Sequence, residues 1–206
     1  MFTGLIEDVG RVARVEPGAN ARRLRIETGL GAESRPGDSI AVNGVCLTAI
    51  ATDAEGFDVD VAPETLRVTT LGTFDVGRAV NLERPVRADA RLGGHFVLGH
   101  VDGVGRIASR RDDGACAWLE VAIPASLAPL VISKGSIAID GISLTVAALG
   151  ANLVSVQLVP FTLAHTTLGG AQAGDAVNLE GDVLGKYVAR LLAAQADLHA
   201  IAGSRP

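Results

Sequence analysis

Short stretches of alternating or β-branched apolar residues, separated by Gly, Pro, Asp or Asn, recur along most of the chain. In the first part they cover residues 10–15, 24–27, 39–42, 45–49, 57–61 and 79–84. Runs this short, with a period of two, predict strands, and their close spacing predicts five or six strands closed into a small barrel or sandwich. The clearest stretch is Ser39-Ile-Ala-Val-Asn-Gly-Val-Cys-Leu-Thr48. Its two apolar runs flank Asn43-Gly44, a dipeptide that tolerates the positive φ values of a type I′ turn, so it predicts a hairpin. Alternation then places Cys46 and Thr48 on one face of the second strand.

That hairpin is written twice. Ser136-Ile-Ala-Ile-Asp-Gly-Ile-Ser-Leu-Thr145 repeats it at an offset of 97, which also maps Pro63–Gly72 onto Pro160–Gly169 and Gly77–Glu83 onto Gly174–Glu180. Near the start an offset of 95 sets Gly4–Val12 beside Gly99–Ile107. Four collinear matches define a tandem duplication, and both copies predict the same small all-β unit. Polar Arg84–Gly94 ends in two glycines and marks the join. The division expected is a first barrel over 1–87, a linker over 88–94, a second barrel over 95–182 and a C-terminal segment over 183–206. The stretch Thr65–Gly72 reads as either a short helical turn or a loop.

Residues 183–202 differ in kind. Leu184, Tyr187, Val188, Leu191, Leu192 and Leu198 follow helical spacing in an alanine-rich run without proline, closed by Gly203 and Pro206. This predicts an amphipathic helix outside the repeat, whose apolar stripe needs either its own barrel or another chain to cover it.

Composition narrows the function. Net charge is −5 with no block of Lys and Arg, which argues against a nucleic-acid surface. No apolar run is long enough to span a bilayer and the first residues lack a signal-peptide pattern, so a soluble cytosolic protein is expected. Two cysteines, Cys46 and Cys116, are too few for a disulfide framework and lack metal-ligand spacing. Aromatics are only 3%, so a flat ligand must be held by aliphatic groups, hydroxyls and backbone. No phosphate-binding glycine loop, dinucleotide fingerprint, zinc-protease motif or nucleophile elbow occurs.

Differences between the copies carry the candidate chemistry. Ser39 matches Ser136 and Thr48 matches Thr145, but Cys46 faces Ser143, Leu5 faces His100, Glu64 faces Phe161, Arg67 faces Ala164 and Val68 faces His165. Paired hydroxyls read either as backbone-bonded groups at a barrel rim or as a ligand site built twice. Cys46 reads as an inert small apolar residue or as a reactive thiol. His100, in a glycine-flanked loop, suits acid–base work, whereas His95 reads as structural and His165 and His199 as surface or partner residues.

Taken in order, Met1-Phe-Thr-Gly4, Asn43–Thr48, Pro63–Arg67, Gly93–Gly103, Asp140–Thr145 and Val183–Tyr187 resemble the riboflavin synthase family of tandem lumazine-binding barrels. The resemblance spans the chain and implies two six-stranded Greek-key β-barrels plus a C-terminal α-helix that joins a homotrimer. It implies a dismutation in which two molecules of 6,7-dimethyl-8-ribityllumazine exchange a four-carbon unit to give riboflavin and 5-amino-6-ribitylaminouracil, with no cofactor and no metal. It allows association with lumazine synthase.

Carried over, Ser39, Cys46 and His100 are the candidates for proton transfer or nucleophilic assistance, with Phe2 counted beside them as an amino-terminal lid that includes Thr3. One site is expected along Gly4, Leu5, Ile6, Cys46, Leu47, Thr48, Asp60, Val61, Ala62, Pro63, Glu64 and Thr65. The other is expected along Gly99, His100, Val101, Ser143, Leu144, Thr145, Leu158, Val159, Pro160, Phe161 and Thr162, with Lys134 reaching in from a neighbouring chain. Leu98, Gly181 and Phe161 depart from the family pattern. Two rivals remain: a non-catalytic relative resembling the antenna-type lumazine proteins, which lack first-site chemistry, and a flavin reductase on a similar barrel, which would require nicotinamide binding.

Overall fold

The computed structural model describes residues 1–18 and 21–203, with side chains through residue 195. The first copy forms strands β1 (Asp8–Pro17), β2 (Arg22–Glu27), β3 (Ser39–Val42), β4 (Val45–Asp53), β5 (Gly56–Val61) and β6 (Ala79–Glu83). The second forms β7 (Gly103–Asp113), β8 (Cys116–Ala122), β9 (Ser136–Ile139), β10 (Ile142–Leu149), β11 (Leu153–Leu158) and β12 (Ala176–Gly181). Each set closes into an antiparallel barrel, ordered β1-β2-β5-β4-β3-β6 and, in matching order, β7-β8-β11-β10-β9-β12. The jump from β2 to β5 around the β3-β4-β5 meander is the Greek-key step.

Both predicted hairpins form. Asn43 and Gly44 have φ of 44° and 74°, and Asp140 and Gly141 have 46° and 80°, as a type I′ turn requires. The duplication extends to irregularities, because register shifts at Ala49/Ala51 in β4 and Val146/Ala148 in β10 lie 97 residues apart. Bulges at equivalent places let each short sheet curve enough to close.

Alternation fills each interior. Val45, Leu47 and Ala49 point into the first core with Leu24, Phe57 and Val61, while Ile142, Leu144 and Val146 fill the second with Leu119, Val156 and Leu158. Cys46 and Thr48, on the opposite face of β4, point out of their barrel.

Thr65–Gly72 is helical. Pro63 opens α1 (Pro63–Val68), where Glu64 and Arg67 form an ion pair, and Thr69 then caps a 3-10 turn over Thr70–Thr73. Its counterpart α2 (Pro160–His165) replaces the ion pair by a stack of Phe161 on His165, with ring centroids 4.0 Å apart. Three of the differences between the copies thus belong to one exchange of surface contacts.

The barrels meet along a pseudo-twofold seam. A Cβ on Gly44 would lie 2.6 Å from the nitrogen of Gly141, and one on Gly141 2.7 Å from that of Gly44. Asn81 donates from Nδ2 to the Asp140 carbonyl at 3.0 Å, and Asn178 donates likewise to Asn43 at 2.9 Å. Beside them Phe2, Ala41, Val97 and Ala138 form a small buried cluster of their own, on which Cys46 packs.

The C-terminal helix α3 (Val183–Gly203) leaves this body. Lys186 ties its first turn to Asp102 at 2.7 Å, but Leu184, Tyr187, Val188, Leu191 and Leu192 are all exposed. Its own barrel does not cover the apolar stripe. Leu198 and His199 lie outside the described side chains.

Candidate active site at the crossed segments

Each barrel is completed by the segment that leads into the other one. Gly99 accepts at its carbonyl from the Cys46 N–H at 2.9 Å, and Gly4 accepts from Ser143 at 2.8 Å. Val101 packs on the first core and Ile6 on the second. Both glycines have φ of 76°, and a Cβ on Gly99 would come within 2.5 Å of the Cys46 Cβ, so the backbone here lies directly against the hairpin strand.

This overturns the expected grouping. Gly4, Leu5 and Ile6 belong with Ser143 of the second barrel, and Gly99, His100 and Val101 with Cys46 of the first. Offset matching pairs equivalent positions but does not reveal which barrel a connecting segment crosses to.

Two carboxylates that the sequence reading passed over fix the crossed segments. Glu83 accepts from Thr3 N at 2.6 Å, Thr3 Oγ1 at 2.8 Å and Gly4 N at 2.9 Å. Glu180, its equivalent, accepts from the backbone N–H groups of Leu98, Gly99 and His100 at 2.7, 3.0 and 3.0 Å. Burial pushes both carboxyls above the usual range while these donors pull them down. The signal was present in the repeated Asn-Leu-Glu ending both copies.

The first cleft, about 220 Å³, is lined by Val45, Cys46, Glu64, Thr65, Val68, Thr69, Gly99, His100 and Val101. A thiol, an imidazole, a carboxylate and a threonine hydroxyl therefore share one wall. Arg67 holds the exposed Glu64 carboxyl below its ordinary range. By the offsets, Ser143, Phe161, Thr162, His165 and Leu5 stand at the matching places of the second barrel, where His165 is the one side chain set against the thiol, carboxylate and imidazole of the first cleft.

The remaining candidates divide. Ser39 stands directly opposite Thr48 in the β3-β4 ladder, outward and next to the cleft strand. Leu47, Val61, Leu144 and Leu158 have side chains in the barrel cores, so only their backbone can meet a ligand. Asp60 is held by Arg23 at 2.8 Å, and its pKa is lowered by that bond. It lies with Glu16 and Pro17, away from the lining of the first cleft. Ala62, Pro63, Val159 and Pro160 are exposed just past the ends of β5 and β11, and Thr145 is exposed on the outward face of β10, as Thr48 is on β4.

Phe2 is fully enclosed, so its ring backs Cys46 rather than facing a ligand, unlike the lid expected. Thr3 is likewise buried on Glu83. Lys134 is exposed, with φ of 65°, on the loop before β9. His95, read as structural, is buried with Nδ1 2.7 Å from Ser143 Oγ. Among the described residues no three His, Cys, Asp or Glu side chains cluster as a metal site, and no helix is long and apolar enough to cross a membrane.

A model of the lumazine binding domain matches residues 3–85 and 98–182, one match per barrel. Riboflavin synthase of Brucella abortus is 45% identical over 197 residues, covering 93% of this chain and 98% of that protein. The chain belongs to the riboflavin synthase family. Other members include riboflavin synthase of Mycobacterium tuberculosis, 47% identical over the same share of both chains, and that of Bacillus subtilis, 40% identical over 93% of this chain and 90% of the other. In fold, the chain also resembles LumP complexed with riboflavin, with a TM-score of 0.82 at 22% identity over 88% of this chain and 99% of that one. A LumP complex with 6,7-dimethyl-8-(1'-D-ribityl) lumazine gives 0.80. The two matches of the domain model account for a barrel built twice.

Proposed function

We propose that this protein converts two molecules of 6,7-dimethyl-8-ribityllumazine into riboflavin and 5-amino-6-ribitylaminouracil, by moving a four-carbon unit from one to the other. The observation that carries this reading is the crossed packing of a lead-in segment on each hairpin strand, Gly99 on Cys46 and Gly4 on Ser143, equal in frame and unequal in chemistry. A dismutation needs one copy of the substrate treated as donor and its twin as acceptor. Two equivalent frames bind the same heterocycle, and different side chains at matching positions supply the difference.

The chemistry asks for a proton taken from an acidic ring methyl and a nucleophile added to the electron-poor ring of the partner. Cys46 and His100 share the first cleft and are the groups proposed for these steps, with Ser39 beside Thr48 on the flanking strand. Ser143, Thr145, Phe161 and Thr162 would hold the second molecule. Stacking two reactants face to face supplies much of such a rate enhancement, on the order of 7 to 11 kcal/mol in favourable cases.

In this proposal a neighbouring protomer brings the two ligand sites face to face. The exposed apolar side of α3 supports a homotrimer, in which the first-barrel cleft of one chain meets the second-barrel cleft of the next and the exposed Lys134 reaches across. The exposed run 87–94 between buried Glu83 and His95 supports the proposed division into 1–87, 88–94, 95–182 and 183–206. A cytosolic location is part of the proposal.

The test is direct. Purified protein incubated with the lumazine should develop flavin absorbance, with one riboflavin formed for two lumazines consumed. Binding of lumazine without flavin formation would favour an antenna-type role and overturn this reading.

A further inference from the structure

The two copies clasp their crossed segments alike, except for one charge. In the first, Glu7 N donates to the Leu82 carbonyl at 2.9 Å, and the Glu7 carboxylate accepts from Arg84 N at 2.6 Å. In the second, Asp102 N donates to the Leu179 carbonyl at 2.8 Å, and the Asp102 carboxylate accepts from Gly181 N at 2.8 Å. Glu7 and Asp102 are equivalent at the offset of 95, and Arg84 and Gly181 at 97. The backbone part of the clasp has therefore been kept through the duplication.

The cation has not. Arg84 turns its own guanidinium back on Glu7, with Nε at 2.9 Å and Nη2 at 2.7 Å, so the first clasp closes without help from outside the barrels. Gly181 has no side chain to do this, and a Cβ there would already lie 3.0 Å from Leu127 Cδ1 and crowd it. The charge comes instead from α3, where Lys186 Nζ stands 2.7 Å from Asp102 Oδ1 and both side chains are only a quarter exposed. The first turn of the helix is seated closely for this, since a Cβ on Gly185 would come to 3.0 Å from the Leu130 carbonyl oxygen. Lys186 also draws down the carboxyl of Glu180, which burial pushes up and which holds the N–H groups of Leu98, Gly99 and His100. One lysine thus backs both carboxylates that fix the stretch Leu98–Asp102.

That stretch crosses to the first barrel and carries His100 into the cleft with Cys46. We infer that Lys186 is a positioning residue, which through Asp102 holds His100 in place beside Cys46 and so makes the chemistry of the first cleft depend on α3 being docked against its own barrel. The role given to that cleft rests on the proposed lumazine reaction. The stretch Thr3–Ile6, which crosses to the second barrel, is clasped without the helix. A displacement of about 1 Å can cost a reacting group on the order of a hundredfold in rate, so an ion pair that only steers a backbone strip is enough to matter.

Hydrogen exchange and turnover test this together. In Lys186→Met, the amides of Leu98–Asp102 should exchange about tenfold faster, while those of Thr3–Glu7 keep the parent rate. Arg84→Met should give the reverse pattern. The kcat for flavin formation by Lys186→Met should fall about fivefold to tenfold with KM within about twofold of the parent, and Lys186→Arg should return kcat to within about twofold. Asp102→Asn keeps an acceptor for Gly181 N and loses the ion pair, so it should match Lys186→Met, and the double variant should be no slower than the slower single one.

Unchanged exchange at Leu98–Asp102 in Lys186→Met, additive losses in the double variant, or a Lys186→Arg protein as slow as Lys186→Met would each overturn the inference. Faster exchange with turnover intact would do so too, because the lysine would then be a fastening with no bearing on the chemistry. If Lys186→Met fails to fold or assemble, Asp102→Asn, which leaves the helix sequence untouched, must still quicken exchange and slow turnover, and its failure to do so would sink the proposal. Exchange needs no substrate. Absence of flavin formation in the parent therefore refutes the proposed reaction, while exchange still decides whether α3 holds the crossed segment.

Discussion

Phe2 and Val97 hold each other across the seam by two backbone hydrogen bonds, 2.7 Å from Phe2 N to Val97 O and 3.2 Å in return. They are equivalent residues of the two copies, 95 positions apart, so the contact lies on the pseudo-twofold axis. The Phe2 ring has no exposed surface and lies in the cluster on which Cys46 packs. Phe2→Ala should cost about 3 to 5 kcal/mol of stability by leaving a cavity there, measured by urea unfolding. A loss below about 1 kcal/mol would show that the seam does not depend on this ring.

Cys46 should matter to turnover more than to binding. Cys46→Ala removes a thiol from a wall it shares with His100, without touching the barrel core. Flavin formation should fall roughly tenfold or more. Riboflavin affinity should stay within about threefold. Equal turnover by variant and parent would remove the thiol from the chemistry.

The crossed segments predict opposite effects for one substitution made at equivalent places. Gly99→Ala forces a Cβ to 2.5 Å from Cys46 Cβ at φ of 76°, while Gly4→Ala forces one to 2.6 Å from Ser143 at the same φ. Each should destabilise by at least about 2 kcal/mol and damage the cleft of the opposite barrel. Thiol-reagent kinetics at Cys46 should change with Gly99→Ala and not with Gly4→Ala.

Asp140 gives the fold a pH dependence. Enclosed where the first copy has Asn43, its carboxyl is pushed up to about 7 by burial, against hydrogen bonding from Asn178 and the charge of Arg78. The unfolded chain releases this proton near 3.8 and the folded one near 7, so the folded state holds the extra proton in between. Stability from this group therefore falls as pH rises through that window. Asp140→Asn should flatten the slope, adding on the order of 2 kcal/mol at pH 8 and little at pH 4, as read from thermal melts. Equal slopes in both proteins would place the pH dependence elsewhere.

The helix stripe predicts assembly. Leu184→Glu with Leu191→Glu places charges on exposed positions of α3 and leaves both barrels intact. The expected result is a shift in sedimentation from three chains to one, with flavin formation lost and the far-ultraviolet spectrum of the barrels kept. A parent protein that sediments as a monomer would overturn the trimer.

Periodicity and turn residues carried the barrels, because alternation and positive-φ dipeptides are local properties of the backbone. Duplication carried the expectation that both copies share one architecture, and the structure extends that likeness to bulges the sequence did not mark. The crossing of Gly4–Ile6 and Gly99–Val101 was not legible, since it depends on where a connecting segment packs after both barrels exist. Glu83 and Glu180 were visible as a repeat but not as anchors, because collecting three donors is a tertiary event. His95 read as structural by residue type alone, and its partner Ser143 is 48 residues away in the chain.

The exchange of lead-in segments has a genealogical meaning. A single ancestral barrel of this design would have needed a second identical molecule to supply the strip along its hairpin, so the present chain behaves as a dimer fused end to end. In a dimer of identical polypeptides every mutation is written into both sides of the axis. Once fused, the halves could be edited separately, and a thiol on one side could face a hydroxyl on the other.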